Sequence, residues 1–336
     1  MTDPPRRHLL LCAPAIAVDA LGELVAAWRE DAIDVEIRTY DGAPPDLAAL
    51  VAGTASAPDA VLLVGSARRA PATVLPGPFL PDRSGRLVPV GWLPARTVGA
   101  VRRFAAAAAR VRRRAHARRA LAILGQWLPN YLRVTDRMRI ITGDGGMRAL
   151  RWTGDGITRE GMIAAVGCGL GLGIYVGHGR AMGWVGYHGV RAHHFDGDVV
   201  RGDPFDALTP EPMGAILSLC CRTASRRRVG LSFAEALPLL GVAGASFGAV
   251  GDTLHSDNTR WAVGVCTALA RGASTVGELL VQAAPTSPAS LASYRLIGDP
   301  LAPIGSDDAA LARGERIRTY ESTRMPAAIR VEEHVA

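Results

Sequence analysis

Gly171-Leu-Gly-Ile-Tyr-Val176-Gly177-His178-Gly179-Arg180 reads as a buried apolar strand running into a Gly-His-Gly turn. A histidine at the carboxyl end of a buried strand stands at the sheet rim, where ligands bind in open α/β folds. The flanking glycines let a substrate approach the backbone closely and leave an N–H to meet it. Further along, Ile216-Leu-Ser-Leu-Cys220-Cys221-Arg222-Thr223-Ala224 repeats the plan, with an apolar strand delivering two cysteines to the same kind of rim. Successive strand residues face opposite sides, so one of the two cysteines is expected inside and the other on display.

Working outward, short apolar runs alternate with helical patterns from the start. His8–Cys12, Val35–Arg38 and Ala60–Gly65 read as strands, and Leu21–Arg29 and Leu47–Ala52 as helices. That rhythm predicts an α/β fold with a mostly parallel sheet covered on both faces. Residues 70–96 carry Pro71, Pro76, Pro78, Pro81, Pro89 and Pro94 and read as a long loop around a strand at Leu87–Val90. From Thr97 to Gln126 the chain is Ala/Arg-rich and is expected to be a solvated connecting helix, with arginines at 102, 103, 110, 112, 113, 114, 118 and 119. Beyond it, Arg137–Thr142, Ala215–Cys220 and Ala243–Val250 read as strands. Thr158–Val166 (with Asp155 or Thr158 near its cap), Phe233–Leu240, Thr259–Arg271 and Val276–Ala284 read as helices. The tail beyond Ser306 is expected to be loosely tethered.

The chain has 336 residues, with 49% apolar and 5% aromatic side chains, which excludes disordered and collagen-like classes. All 38 basic residues are Arg, against 31 acidic ones, for a net charge of +7. Spread over this length the charge is a weak nucleic-acid signal, and Phe104 is the lone aromatic ring of Phe, Tyr or Trp type among the arginines of 97–126, too few to stack on bases, so nucleic acid is not the expected partner. No apolar run reaches the roughly 18 residues of a membrane span. Arg6-Arg7 before Leu9–Val18 imitates a short signal peptide, but Pro14 interrupts the run, and we read a first strand and a cytoplasmic protein. Cysteines at 12, 168, 220, 221 and 266 form no CxxC pair and suit a reducing compartment.

A thiol and an imidazole at neighbouring strand ends form a minimal nucleophile–base pair. His188, His193 and His194 lack a matching set of ligands, so no metal is expected. Gly169-Leu-Gly171-Leu-Gly173 precedes its strand and lacks the lysine of a phosphate loop, so no cofactor is expected either. His255, in the loop Gly251–Asp257, either walls a substrate pocket or belongs to an ordinary connection.

These segments resemble the caspase-like clan of cysteine peptidases, and most closely the gingipain family with the related CHAT domains. The resemblance is carried by Asp155-Gly-Ile-Thr158-Arg-Glu160 leading to Tyr175-Val-Gly-His178-Gly, by Leu217-Ser-Leu-Cys-Cys221-Arg-Thr223-Ala224, by Gly244-Ala-Ser-Phe-Gly-Ala-Val250 and by Tyr294-Arg-Leu-Ile-Gly298-Asp299-Pro300. Val61–Gly65 and Val88-Pro-Val-Gly91-Trp-Leu-Pro94 resemble the gingipain first subdomain, and the whole runs over residues 58–304. It implies a caspase-like three-layer sandwich preceded by a smaller α/β subdomain. The parts would be an N-terminal subdomain with the Arg-rich helix over 1–125, a catalytic subdomain over 126–305 and a tail over 306–336.

It also implies peptide-bond hydrolysis by a Cys-His dyad, with His178 handling the proton and the N–H groups of Gly179 and Cys221 forming the oxyanion hole. Counting back from Thr223-Ala224 makes Cys221 the nucleophile; counting forward from Leu217-Ser218 makes it Cys220. We take Cys221, with Cys220 as the alternative. Trp184, Asp252, Asp144 and Asp196 are the candidate substrate-binding residues, and a carboxylate among them would favour cleavage after basic residues. Trp92 stands where the family pattern has Arg, Ala224 where it has Gly, and Leu219 where related families place an acid. Expected partners are a protein or peptide substrate and an activating protein, with fold analogy suggesting a signalling role such as bacterial defence. The alternatives are a catalytically silent caspase-like interaction module and a nucleic-acid-binding protein using the Arg-rich helix.

Overall fold

The computed structural model describes residues 7–324 except 54–56, 66–75, 95–96, 155–156, 197–209, 227–229 and 286–287. Arg6, Pro71 and Asp155, singled out above, lie outside the described residues.

Eleven strands form one sheet. In chain order they include β1 (His8–Ala13), β2 (Asp34–Thr39), β3 (Ala60–Gly65), β4 (Phe79–Pro81), β5 (Leu87–Pro94), β6 (Ala120–Gly125), β7 (Arg148–Trp152) and β8 (Leu172–Val176). Three short strands, β9 (Gly179–Arg180), β10 (Gly183–Trp184) and β11 (Val190–Arg191), form a separate flap. The large sheet resumes with β12 (Met213–Leu219), β13 (Ala243–Ala249) and β14 (Tyr294–Gly298). Its order is β2-β1-β3-β5-β14-β13-β12-β8-β6-β7, with β4 on β5. The first group runs parallel through β5 to β14, and β14 is antiparallel to β13, so the two halves run in opposite directions across this seam.

Helices cover both faces, as a parallel sheet requires. On one side of the second half lie α5 (Pro129–Asp144), α8 (His255–Ala270) and α9 (Val276–Ala283). On the other lie α6 (Arg159–Val166), α7 (Phe233–Leu239) and α11 (Asp308–Arg324). The first half packs α1 (Ala15–Ala20), α2 (Gly22–Glu30) and α4 (Val98–Arg113), while α3 (Leu47–Gly53) lies over its other face and α10 (Pro288–Ala292) precedes β14. Thr158 caps α6 by accepting from the Gly161 N–H at 2.9 Å.

Several sequence expectations are corrected. The helix expected over 97–126 stops at Arg113, and Ala120–Gly125 is a wholly buried strand paired with β7 and β8. An Ala-rich run has helical propensity, but burial on both faces decides here. The helix α4 is no solvated connector: Val101, Phe104, Ala108 and Val111 bury one face, and Arg113 is engaged by Glu23 and Glu30. Residues 137–142 are helical rather than a strand, because Tyr131, Val134, Met138 and Thr142 recur at helical spacing and pack inward. As far as Arg324 the tail beyond Ser306 is tied down, with α11 burying Ala310 and Ile317 and its Glu321 accepting from the Thr158 N–H at 2.9 Å.

At the seam, a Cβ on Gly91 would stand 2.2 Å from the carbonyl oxygen of Gly298, so β5 and β14 can meet here only through glycine. The next residue, Asp299, is fully buried. Arg112 donates to it through Nε at 3.1 Å and Nη2 at 2.9 Å, Trp28 Nε1 donates at 3.3 Å, and the Leu301 N–H closes its other oxygen at 2.9 Å. One carboxylate thus joins α2, α4 and the end of β14. Removing it leaves a buried guanidinium under-compensated, so Asp299→Ala should lower unfolding stability by about 3 kcal/mol in urea titration. Arg118→Ala, which breaks the exposed pair with Asp308, should cost less than about 1 kcal/mol.

Candidate active site

The strands β8 and β12 are parallel neighbours in register, with Tyr175 opposite Ser218 and Val176 opposite Leu219. Ile174, Val176, Leu217 and Leu219 face the α5–α8 side, whereas Ile216 and Cys220 join the core on the other side. His178 and Cys221 therefore follow the ends of adjacent parallel strands about 4.8 Å apart, and His178 meets Tyr131 of α5 on the α5–α8 side. Cys220 turns the opposite way and is 0% exposed; burial, followed by the charge of Cys221, raises its thiol well above the ordinary cysteine range. Cys221 is half-buried and His178 exposed.

Each turn is held from outside itself. The His178 N–H donates to Gln126 Oε1 at 2.8 Å, and Tyr175 Oη donates to the His178 carbonyl at 3.1 Å. The imidazole stands edge-on to Tyr131, whose hydroxyl lies 3.4 Å from both ring nitrogens. The Tyr131 phenol is pushed up by its burial and then by the two cysteines. On the other turn, Arg222 adopts a left-handed backbone (φ 61°), which costs about 1 kcal/mol for a residue with a Cβ. Its N–H donates to Gly251 O at 2.9 Å, and its guanidinium grips both oxygens of Asp252, with Nε 2.7 Å from Oδ1.

The sulfur of Cys221 receives the Thr253 N–H at 3.4 Å and lies 3.6 Å from the Thr253 hydroxyl. That hydroxyl accepts from Asn258 Nδ2 at 3.0 Å, and the buried Tyr294 hydroxyl donates to Asn258 Oδ1. A polar chain therefore runs from the core to the sulfur, ending at the N-terminus of α8. A Cβ on Gly179 would fall 2.5 Å from Cys220 Sγ and from the Cys221 carbonyl oxygen, so the two turns touch through glycine.

The other candidates are scattered. Trp184, in β10 of the flap, is 2% exposed, stacks on Tyr175 at 4.4 Å with Nε1 donating to Ser218 Oγ at 3.0 Å, and lines the cavity at the flap. Asp252 is near Cys221 but engaged by Arg222. Asp144 ends α5, whose first turn carries Tyr131, so it lies a helix length away at the opposite rim. Asp196 follows a turn at 192–195 that packs Phe195 toward Phe233. Arg226, five residues past Cys221, has a buried side chain paired with the fully buried Glu235. His255 stands edge-on to Tyr131 at 5.5 Å, and His194 accepts from the Arg191 N–H at 3.1 Å. No three potential metal ligands gather among the described residues. Sequence reasoning missed Gln126, Tyr131, Thr253 and Asn258; the helical spacing of Tyr131, Val134 and Met138 was the available signal for one of them.

Under the flap, beside Arg222, opens a cavity of about 560 Å³. No helix among the described residues is long and apolar enough to cross a membrane.

The fold is that of the gingipains. The chain superposes on the Arg-specific cysteine proteinase gingipain R (RgpB) with a TM-score of 0.67 and 15% identity, covering 90% of this chain and 79% of that one. A structure titled as a protease matches with a TM-score of 0.63 and 13% identity (89% and 78% covered). The Porphyromonas gingivalis RgpB pro- and mature-domain complex matches with a TM-score of 0.62 and 15% identity (88% and 79% covered). No curated protein matches the chain significantly by sequence. Peptidase family C25 matches residues 52–304, more than half of the chain. The chain belongs to peptidase family C25 and is a cysteine-type peptidase, a hydrolase.

Exposure and burial separate the thiols sharply. Iodoacetamide at pH 8 followed by mass spectrometry should modify Cys221 rapidly and leave Cys12, Cys168, Cys220 and Cys266 unmodified in the folded chain. Equal modification of Cys220 would contradict the assignment of faces.

Proposed function

We propose that the chain is an endopeptidase in which Cys221 is the nucleophile and His178 the proton carrier. The observation that supports this reading is that His178 and Cys221 follow the ends of adjacent parallel strands, with Tyr131 edge-on to the imidazole and its phenol raised by burial and then by the nearby cysteines. His178 takes the thiol proton as sulfur bonds to the scissile carbonyl carbon. The resulting oxyanion meets the N–H groups of Gly179 and Cys221. His178 then protonates the leaving amine as the C–N bond breaks. In the second half, water attacks the thioester, His178 takes its proton, and the thiol leaves with that proton. Gln126 fixes the backbone of the histidine turn, and Thr253 holds the sulfur.

The RgpB relative is Arg-specific, but the candidate carboxylates for such a preference here are Asp252, engaged by Arg222, Asp144, at the far rim, and Asp196, beyond the turn that packs Phe195 toward Phe233. We therefore do not carry the basic-residue preference over. Five unpaired cysteines support a reducing compartment such as the cytoplasm. A peptidase there requires restraint, and the pro-domain complex of RgpB supports control by a partner or by processing.

Digestion of a peptide library tests the reading. Cys221→Ala and His178→Ala should each reduce cleavage by more than about a thousandfold. Cys220→Ala should keep most of it. Loss on Cys220→Ala with activity retained in Cys221→Ala would exchange the two cysteines. Gly179→Ala, which forces the two turns apart, should lower kcat by about a hundredfold or more.

A further inference from the structure

The cavity beside the nucleophile turn has a definite chemical character. Arg180, Arg191, Arg222 and His188 line it, and no carboxylate lines it among the described residues. Asp252 already neutralises Arg222. Arg180 and Arg191 have no ion pair among the described residues.

Their placement follows from the flap. Gly183 on the middle strand β10 pairs with Arg180 of β9 on one side and with Arg191 of β11 on the other. Directly opposed residues in antiparallel strands project to the same face. Two guanidinium side chains thus leave one face in a single cross-strand row, with a residue lacking a side chain between them. Gly183 cannot be replaced cheaply, since its φ is 147° and a Cβ would stand 1.9 Å from the Val190 carbonyl oxygen. Like charges in one row repel, and an anion seated over the glycine relieves that repulsion. The hairpin joining β10 to β11 is strained, with Tyr187, His188 and Gly189 consecutively left-handed at φ 56°, 60° and 85°. Such a run is costly for residues with a Cβ. It swings His188 onto the cavity wall.

We propose that this cavity is a substrate subsite for carboxylate side chains, held by Arg180 and Arg191 across Gly183, so that the peptidase favours peptides with Asp or Glu close to the cut bond. The proposal rests on reading Cys221 and His178 as the cutting centre. Arg180 follows the Gly179 turn and Arg222 follows Cys221, so the cavity borders both turns that carry the cutting centre.

The test separates binding from cutting. Full-length Cys221→Ala protein is titrated with fluorescein-labelled octapeptides that differ in carrying Glu, Gln or Lys, and anisotropy is read. The Glu peptide should bind at least about tenfold tighter than the Gln peptide, with the Lys peptide weakest. Arg180→Gln/Arg191→Gln should erase the difference and Arg180→Glu/Arg191→Glu should invert it, while circular dichroism and Cys221 alkylation in the Cys221-containing background stay unchanged. Equal binding of the Glu and Gln peptides, or an order that survives both double variants, overturns the proposal. So does tighter retention of inorganic phosphate than of the Glu peptide. Library digestion by the wild-type chain is the second arm. Acid-selective binding without any cleavage sinks the peptidase reading and leaves the subsite standing. Cleavage without enrichment of Asp or Glu near the cut does the reverse.

Discussion

The pairing of β8 with β12 is the constraint on which the site depends. Two parallel strands in register cannot shift by one residue without turning every buried side chain of one of them to the other face. Ile174, Val176, Leu217 and Leu219 are all fully buried on one face, so the register is fixed by the core rather than by the site. The turns that carry His178 and Cys221 start from strands fixed by that packing. Neither turn needs to be rigid on its own, because glycine at 179 lets one rest directly on the other.

The same parity explains why one of two adjacent cysteines is reachable. Cys221 continues the row of Leu217 and Leu219, and Cys220 continues the row of Ile216. That distinction was legible from the sequence once both strands were placed, because His178 continues the row of Ile174 and Val176. Apolar runs at 60–65, 172–176, 213–219 and 243–249 announce their strands plainly, since central parallel strands are apolar on both faces. Ala120–Gly125 was hidden by its alanines, which suit helix and buried strand alike. Residues 137–142 misled because a short apolar run looks like a strand when the helical periodicity around it is overlooked. The partners at the site, Gln126, Thr253 and Asn258, come from distant segments, and nothing local in the sequence marks a side chain whose value lies in a contact across the fold.

Arginine plays three physical parts in this chain. At Arg112 it is a buried structural cation locked to Asp299, and at Arg222 it braces a strained turn through Asp252. On the flap, Arg180 and Arg191 share a row around Gly183. The absence of lysine thus says little about chemistry, because the same residue serves as core strut, brace and surface cation according to which carboxylates the fold brings near.

The placement of β14 has a consequence for how the chain is made. Residues 294–298 lie between β5 and β13, two strands that are complete far earlier in the chain. Until that segment leaves the ribosome, both strands are bare sheet edges, apolar and able to recruit a strand from another molecule. The late strand is thus a zipper between two half-sheets, and the nascent chain is most exposed to aggregation in the interval before it closes.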